Sequence, residues 1–314
     1  MGFRSRLVVL LSLTLALAFG LAPAHAQEAP APGARTLQID VVASDDGRPV
    51  TDLKRDDIEV WFGGLRMPIQ EIAVVTPEAQ EQPGRLIVLL LDDMTLEPAM
   101  VGRGREIAKR FASRMLPGDR MAVTMLDGRS TELTSDPVVL NRQIDSWRQT
   151  LGIMPLDRIG EHVIEKVGAV ARGIVEASEP RKTIVAIGSS WLLDTPVPPA
   201  QIGTNLRDEW FAMLRALAVA DATYYVIDPR GVGGSRQSGQ NGLAFETGGY
   251  AFANTNDFTG AVDRILHEAG HYYRVSVPDP PVGQKAALRD VDIKVLRKNI
   301  DVRARRSIPG GALR

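Results

Sequence analysis

The chain has 314 residues, with 37 lysines and arginines against 38 acidic residues, a net charge of −1 and no cysteine. This near-balance, without a cluster of basic side chains, argues against a nucleic-acid partner. The missing cysteines exclude disulfides and a lipoprotein attachment site, so a packed core alone must hold the fold.

Residues 1–26 read as a signal peptide. Arg4 and Arg6 precede the apolar run LVVLLSLTLALAFGLA, and Ala24-His25-Ala26 supplies the small-x-small cleavage pattern before Gln27. The expected location is secreted or periplasmic, with an uncleaved anchor as the alternative and no transmembrane segment after cleavage. QEAPAPGAR (27–35) is a linker. From 36 to 78 apolar residues alternate: Leu37, Ile39 and Val41, then Ile58, Val60 and Phe62, then MPIQEIAVV after Gly63-Gly64. Period-two patterning broken by DDGRP and GG predicts short antiparallel strands.

The middle, 84–271, has a different rhythm. RLIVLLLD (85–92) is a continuous apolar run, the mark of a strand buried on both faces. A helix over 97–115 follows, then strand DRMAVTMLD and a short edge strand STELTSD. Helices fit 138–149 and 160–177, KTIVAIGSS (182–190) is a strand, and a helix fits 206–219. ATYYVIDP (222–229) and GGYAFA (248–253) are further strands, and a last helix runs to about 269. This order predicts a doubly wound, mainly parallel α/β sheet, a Rossmann-like arrangement. Ligands bind beyond the carboxyl ends of such strands, which selects the loops 92–96, 188–194 and 228–242.

The last stretch returns to period two. YYRVSVP, RDVDIKVL and NIDVRAR alternate across 272–307, and 308–314 reads as a tail. The two β-rich ends are expected to pair into one small sandwich-like domain with the middle inserted between its strands. The basic run KVLRKNIDVRARR reads as an exposed strand face.

VTDLKRDDIEVW, RLIVLLLDDMTL, KTIVAIGSS, YYVIDPRG, HYYRVSVPD and VDIKVLRKNIDVRARR, in that order from about residue 36 to 307, are individually loose motifs. Together the chain resembles the von Willebrand factor type A-related (vWA-like) secreted proteins of the acidobacterial type. The resemblance implies a vWA-like domain at 84–271 with β-strand flanks, and ligand or partner binding instead of catalysis. Many vWA domains also hold Mg²⁺ through a D-x-S-x-S loop, a distant threonine and a distant aspartate, a metal-ion-dependent adhesion site (MIDAS). This chain departs from that set. Asp92-Asp93-Met94-Thr95-Leu96-Glu97 fits it in neither register, Leu151–Ala177 contains no serine or threonine, and Gly188-Ser189-Ser190 stand where an acid is implied. The site reads as degenerate and no cofactor is assigned. Asp92, Asp93 and Thr95 are the donors a partly hydrated Mg²⁺ or other divalent cation would use. The structural alternative has Asp92 and Asp93 capping the following helix.

One motif points elsewhere. His267-Glu268-Ala269-Gly270-His271 spells H-E-x-x-H, in which two histidines one helical turn apart bind zinc and the glutamate activates water. Against a zinc peptidase, Gly270 favours a left-handed helix stop, YYRVSV already alternates as a strand, and no third ligand follows. His267 and His271 are therefore alternative zinc ligands, with Glu268 as alternative base, and no catalytic residue is assigned. The glycine-rich RGVGGSRQSGQNG (230–242) lacks a P-loop lysine and reads as a surface loop, and His162 shows no partner spacing. The functional expectation is a binding module for a protein or cell-envelope partner, meeting it through Asp92, Asp93, Thr95, Ser189, Ser190 and Trp191. A structural envelope component is the remaining alternative.

Overall fold

Sheet order follows from which strands can be covered. In the computed structural model, which describes residues 36–77, 84–150, 156–189, 204–233, 242–279 and 288–309, the strands are β1 (Thr36–Asp45), β2 (Arg48–Pro49), β3 (Ile58–Phe62), β4 (Leu65–Met67), β5 (Glu71–Val75), β6 (Leu86–Leu91), β7 (Arg120–Met125), β8 (Lys182–Ile187), β9 (Ala222–Ile227), β10 (Ala251–Phe252), β11 (Tyr272–Pro278), β12 (Leu288–Val295), β13 (Ile300–Ala304) and β14 (Ser307–Pro309). The helices are α1 (Pro98–Ser113), α2 (Pro137–Asp145), α3 (Leu156–Gly173), α4 (Thr204–Val219), α5 (Gly242–Glu246) and α6 (Phe258–Gly270). These residues belong to one compact unit, Arg35–Arg314.

Strands β10-β9-β8-β6-β7 form a parallel sheet in that order. Every residue of LIVLLL in β6 and KTIVAI in β8 is buried, because helices cover both faces. Ile87, Leu89 and Leu91 pack with α1, α2 and α6, while Leu86, Val88 and Leu90 pack with α3, α4 and α5. Alternate residues of one strand thus enter opposite cores, which is why the run is apolar at every position.

The two ends of the chain join in antiparallel ladders. β1 lies between β11 and β13, β5 extends the sheet beyond β11, and β12 pairs with both β3 and β14. Ile39 and Val41 of β1, Val60 and Phe62 of β3, and Val275 and Val277 of β11 share one apolar core. The mixed α/β class with a small β-rich domain from both flanks is the observed architecture. Among the described residues no helix is long and apolar enough to cross a membrane.

Several elements differ from the sequence reading. STELTSD is not a strand; it meets β7 through the isolated bridges Met121–Thr134 and Thr124–Ser130 and through bonds between Thr131 and Val123, which still cover that sheet edge. Helix α5 follows the glycine-rich loop, where no helix was expected. Ile308 is buried in β14, so the ladder continues into the residues read as a tail. The basic strand β13 is not an exposed face: Arg303 is buried against α6. A long cationic side chain reaches across an interface that hydropathy alone marks as surface.

Asp40 of β1 also faces that interface. Its carboxylate accepts from Arg274 Nε at 2.9 Å. Burial, reinforced by the nearby Asp221, pushes its pKa up to about 6 despite Arg274 and Arg181. A carboxyl raised on folding contributes stability that is complete below its ordinary pKa and is lost as pH rises through about 6. Urea midpoints of wild type and Asp40→Asn at pH 4, 5, 6 and 7 test this. The wild-type advantage over the variant is expected to shrink as pH rises, and a constant difference would refute the assignment.

Candidate functional site

The strand order reverses between β6 and β8: β7 lies on one side of β6, and β8, β9 and β10 follow on the other. Such a switch point opens a crevice at the carboxyl ends of the strands. Here Asp92 and Asp93 follow β6, Gly188 and Ser189 follow β8, and Asp228 follows β9.

Asp92 is fully buried. Its Oδ1 accepts from the Met94 and Thr95 amides at 3.1 and 2.7 Å. Oδ2 accepts from Thr95 Oγ1 at 2.5 Å, from the Ser189 amide at 3.0 Å and from Ser189 Oγ at 3.2 Å. Thr95 Oγ1 and Ser189 Oγ lie 2.6 Å apart, closing the ring of contacts across the switch point. The Asp92 carbonyl accepts from Trp147 Nε1 at 3.2 Å. That indole is fully buried, and Gly104 of α1 leaves room for it: a Cβ there would lie 2.4 Å from the ring. A mid-helix glycine costs about 1 kcal/mol against alanine, and here it admits the side chain that holds the loop.

Asp93 turns to the other side. Its Oδ2 accepts from Thr150 Oγ1 at 3.2 Å and from Arg129 at 3.3 Å, and Oδ1 from the Asp127 amide at 3.3 Å. Burial and then the Asp127 carboxylate raise the Asp93 pKa. Burial also acts to raise Asp127, but hydrogen bonds from the Arg129 amide and guanidinium outweigh it and hold Asp127 low. At the third strand end Asp228 is fully buried and accepts from Arg230, whose amide and Nε reach Oδ1 at 2.9 and 3.0 Å and whose NH2 reaches Oδ2 at 2.7 Å.

The structure therefore gathers Asp92, Asp93, Thr95 and Ser189, while Ser190 and Trp191 lie outside the described residues. Asp92, Asp93 and Ser189 are buried, and their side chains bond the loops to one another. They do not cap α1, whose N-cap is Glu97 without a side-chain bond. Exposed around them are Glu97, Asp127, Arg129 and Val232. Thr150 and Asp228 escaped the sequence reading. Thr150 lies one residue before the window searched for a hydroxyl, and Asp228 ends a buried strand in a way that could have flagged it.

A divalent cation fits this donor set poorly. Both oxygens of Asp92 already accept from amides and hydroxyls, and guanidinium groups occupy Asp93 and Asp228. A hard cation needs several free oxygen ligands. Gly188, the first residue of the Gly188-Ser189-Ser190 stretch where the vWA resemblance implies an acid, has no space for a side chain: a Cβ would lie 2.3 Å from Asp92 Cβ.

The H-E-x-x-H segment is likewise occupied. Gly270 is the last helical residue and does not take a positive φ; α6 stops because His271 is extended, at φ −127° and ψ 108°. The two imidazoles nevertheless meet, stacked with centroids 4.0 Å apart and planes 11° from parallel. A metal lies in the plane of each imidazole that binds it, and two parallel stacked planes share no such point. Glu268 faces away, accepting from Arg264 Nε at 2.8 Å, Tyr225 Oη at 2.8 Å and Arg303. Burial alone would raise its pKa, but Arg303 and Arg264 hold it below the usual value. Among the described residues no group of three metal-ligating side chains occurs.

No family model matches the chain, and no curated protein does. Solved structures similar to part of this chain include the following three. An aerotolerance-related membrane protein from Bacteroides fragilis is 14% identical over 59% of this chain and 98% of its own, with a TM-score of 0.39. Proximal thread matrix protein 1 from the mussel byssus, with a zinc-occupied MIDAS motif, is 13% identical over 65% of this chain, at a TM-score of 0.37. This chain spans 50% of the mussel protein's length. The pilus adhesin SpaC from Lactobacillus rhamnosus GG is 13% identical over 42% of this chain and 18% of its own, at 0.27.

Two substitutions test this geometry. Gly188→Ala is expected to cost about 1–3 kcal/mol by overpacking against Asp92, seen as a lowered urea midpoint. Glu268→Ala leaves Arg303 buried without its carboxylate and is expected to cost about 3–5 kcal/mol. A Glu268→Leu, Arg303→Met pair should recover most of that loss, and failure to recover it would contradict the ion-pair account.

Proposed function

We propose that the chain is an exported, non-catalytic binding module of the vWA type that recognises a protein or cell-envelope partner. The supporting observation is the switch point itself, where the acids at the carboxyl ends of β6 and β9 are buried and bonded internally. Amides and hydroxyls bind Asp92, Arg129 binds Asp93, and Arg230 binds Asp228. A floor so arranged needs no cation to be stable, and it sets the exposed rim of Glu97, Asp127, Arg129 and Val232 on rigid strand ends.

The rim suits a protein surface. It carries both charges, and Val232, 67% exposed just after β9, adds apolar surface beside the glycines of the 230–242 loop. Charge steers an encounter and apolar surface holds it. Catalysis is not favoured by the same residues, because the Ser189 hydroxyl is engaged with Asp92 and Thr95 and not with a histidine base.

A photo-crosslinking residue at Val232, compared with one at Leu65 on the exposed edge strand β4, tests the reading in the native envelope fraction. The Val232 probe is expected to capture a discrete partner and the Leu65 probe not to. Glu97→Lys, at a rim position whose side chain makes no cap bond, should weaken capture at least about tenfold with little change in the urea midpoint, and added Mg²⁺ should alter neither. Equal capture at both positions, or capture that requires Mg²⁺, would overturn the proposal.

A further inference from the structure

The H-E-x-x-H segment borders a cavity that the proposed binding face does not use. Between α6 and the sheet containing β1, β2, β5 and β11 lies a space of about 380 Å³, within the range of about 300–1,000 Å³ found for small-molecule sites. Val42 faces it because Ile39, Val41 and Ala43, at the alternate positions of β1, point into the antiparallel core. Val50 and Val74 add aliphatic surface, and Val74 is 45% exposed. The stacked rings of His267 and His271 line the helix side.

The charged groups along this cavity are already paired. Glu268 is bound by Arg264 and Arg303, and Asp263 by Arg114. One polar atom is not. Nε2 of His267 has no hydrogen-bond partner among the described residues and is closed off as the ring stands, so a ligand meets it once the ring turns toward the cavity. Such an orphan costs about 1–3 kcal/mol, which a complementary group from a ligand would recover. Desolvation, then the neighbouring His271, holds the His267 pKa below the usual histidine value.

We propose that this cavity binds a small, uncharged, largely apolar molecule carrying a hydroxyl group, of the phenol class, with the hydroxyl paired to Nε2 of His267. A hydroxyl both donates and accepts, so it satisfies this nitrogen in either tautomer. The paired charges leave nothing for an ionic ligand to neutralise. A peptide helix, about 10 Å across with its side chains, does not fit the space.

The test uses the full chain with 2-naphthol and, as the same ring system without the hydroxyl, naphthalene. The expected result is saturable one-to-one binding of 2-naphthol by fluorescence, about tenfold tighter than naphthalene. His267→Leu should erase that preference while the ring still binds. Val74→Trp, at an exposed position, should block both compounds without lowering the urea midpoint, and it decides the matter if the histidine variant fails to fold. Absence of saturable binding, an undiminished preference in His267→Leu, or undiminished binding in Val74→Trp would each overturn the proposal.

Discussion

A carboxylate with no access to water must find its hydrogen bonds inside the protein. Asp92 is in that position at the point where the parallel sheet changes direction. Its five donors come from two crossover segments, Met94 and Thr95 after β6 and Ser189 after β8. Satisfying one buried charge thus fixes how two loops meet. Gly188 must be glycine for the loops to approach so closely, and Trp147 holds the same residue by its carbonyl. A switch point usually leaves a crevice open to ligand; here its floor is closed by the chain's own donors, and any partner meets the rim.

The second organising interaction lies between the parallel sheet and the flanks. Glu268 of α6 binds Arg303 of β13, and Arg181 stacks on Tyr272 of β11, 4.9 Å from the ring centroid. A buried ion pair gives little net stability over an apolar one, but it penalises any arrangement that separates its members. The flanks are therefore held in one register against α6, and the cavity beside His267 exists only because they are. The residues that spell a zinc-protease signature do interfacial work: Glu268 anchors a strand, and the histidines wall a space.

Much of this was legible from patterning. Apolar runs at 86–91, 182–187 and 222–227 announced strands covered on both faces, and the period-two series at 36–45, 58–62 and 272–278 announced strands covered on one. Element type follows from local periodicity because burial repeats with the geometry of the element. The 130–136 segment misled because two isolated bridges leave the same alternation as a strand. Arg303 misled because charge predicts exposure only when no partner waits inside.

The candidate site was legible in place but not in role. Strand ends after buried runs pointed to Asp92, Asp93 and Ser189, and the coordinates bring these together with Thr95. Whether their oxygens face a ligand or each other depends on atoms from Arg129 and Thr150, separated from Asp93 by tens of residues, and no spacing rule carries that.

By itself the sequence determined the order of the main helices and strands, though not α5 or the 130–136 segment, together with the doubly wound class and the β-rich flanks, since each depends on the hydrophobic period of a short segment. Tertiary structure alone decided that the acids at the switch point are neutralised from within, that the two imidazoles stack, and that a cavity opens beside them. Those properties depend on distances between residues far apart in the chain, set by packing and not by neighbours in sequence.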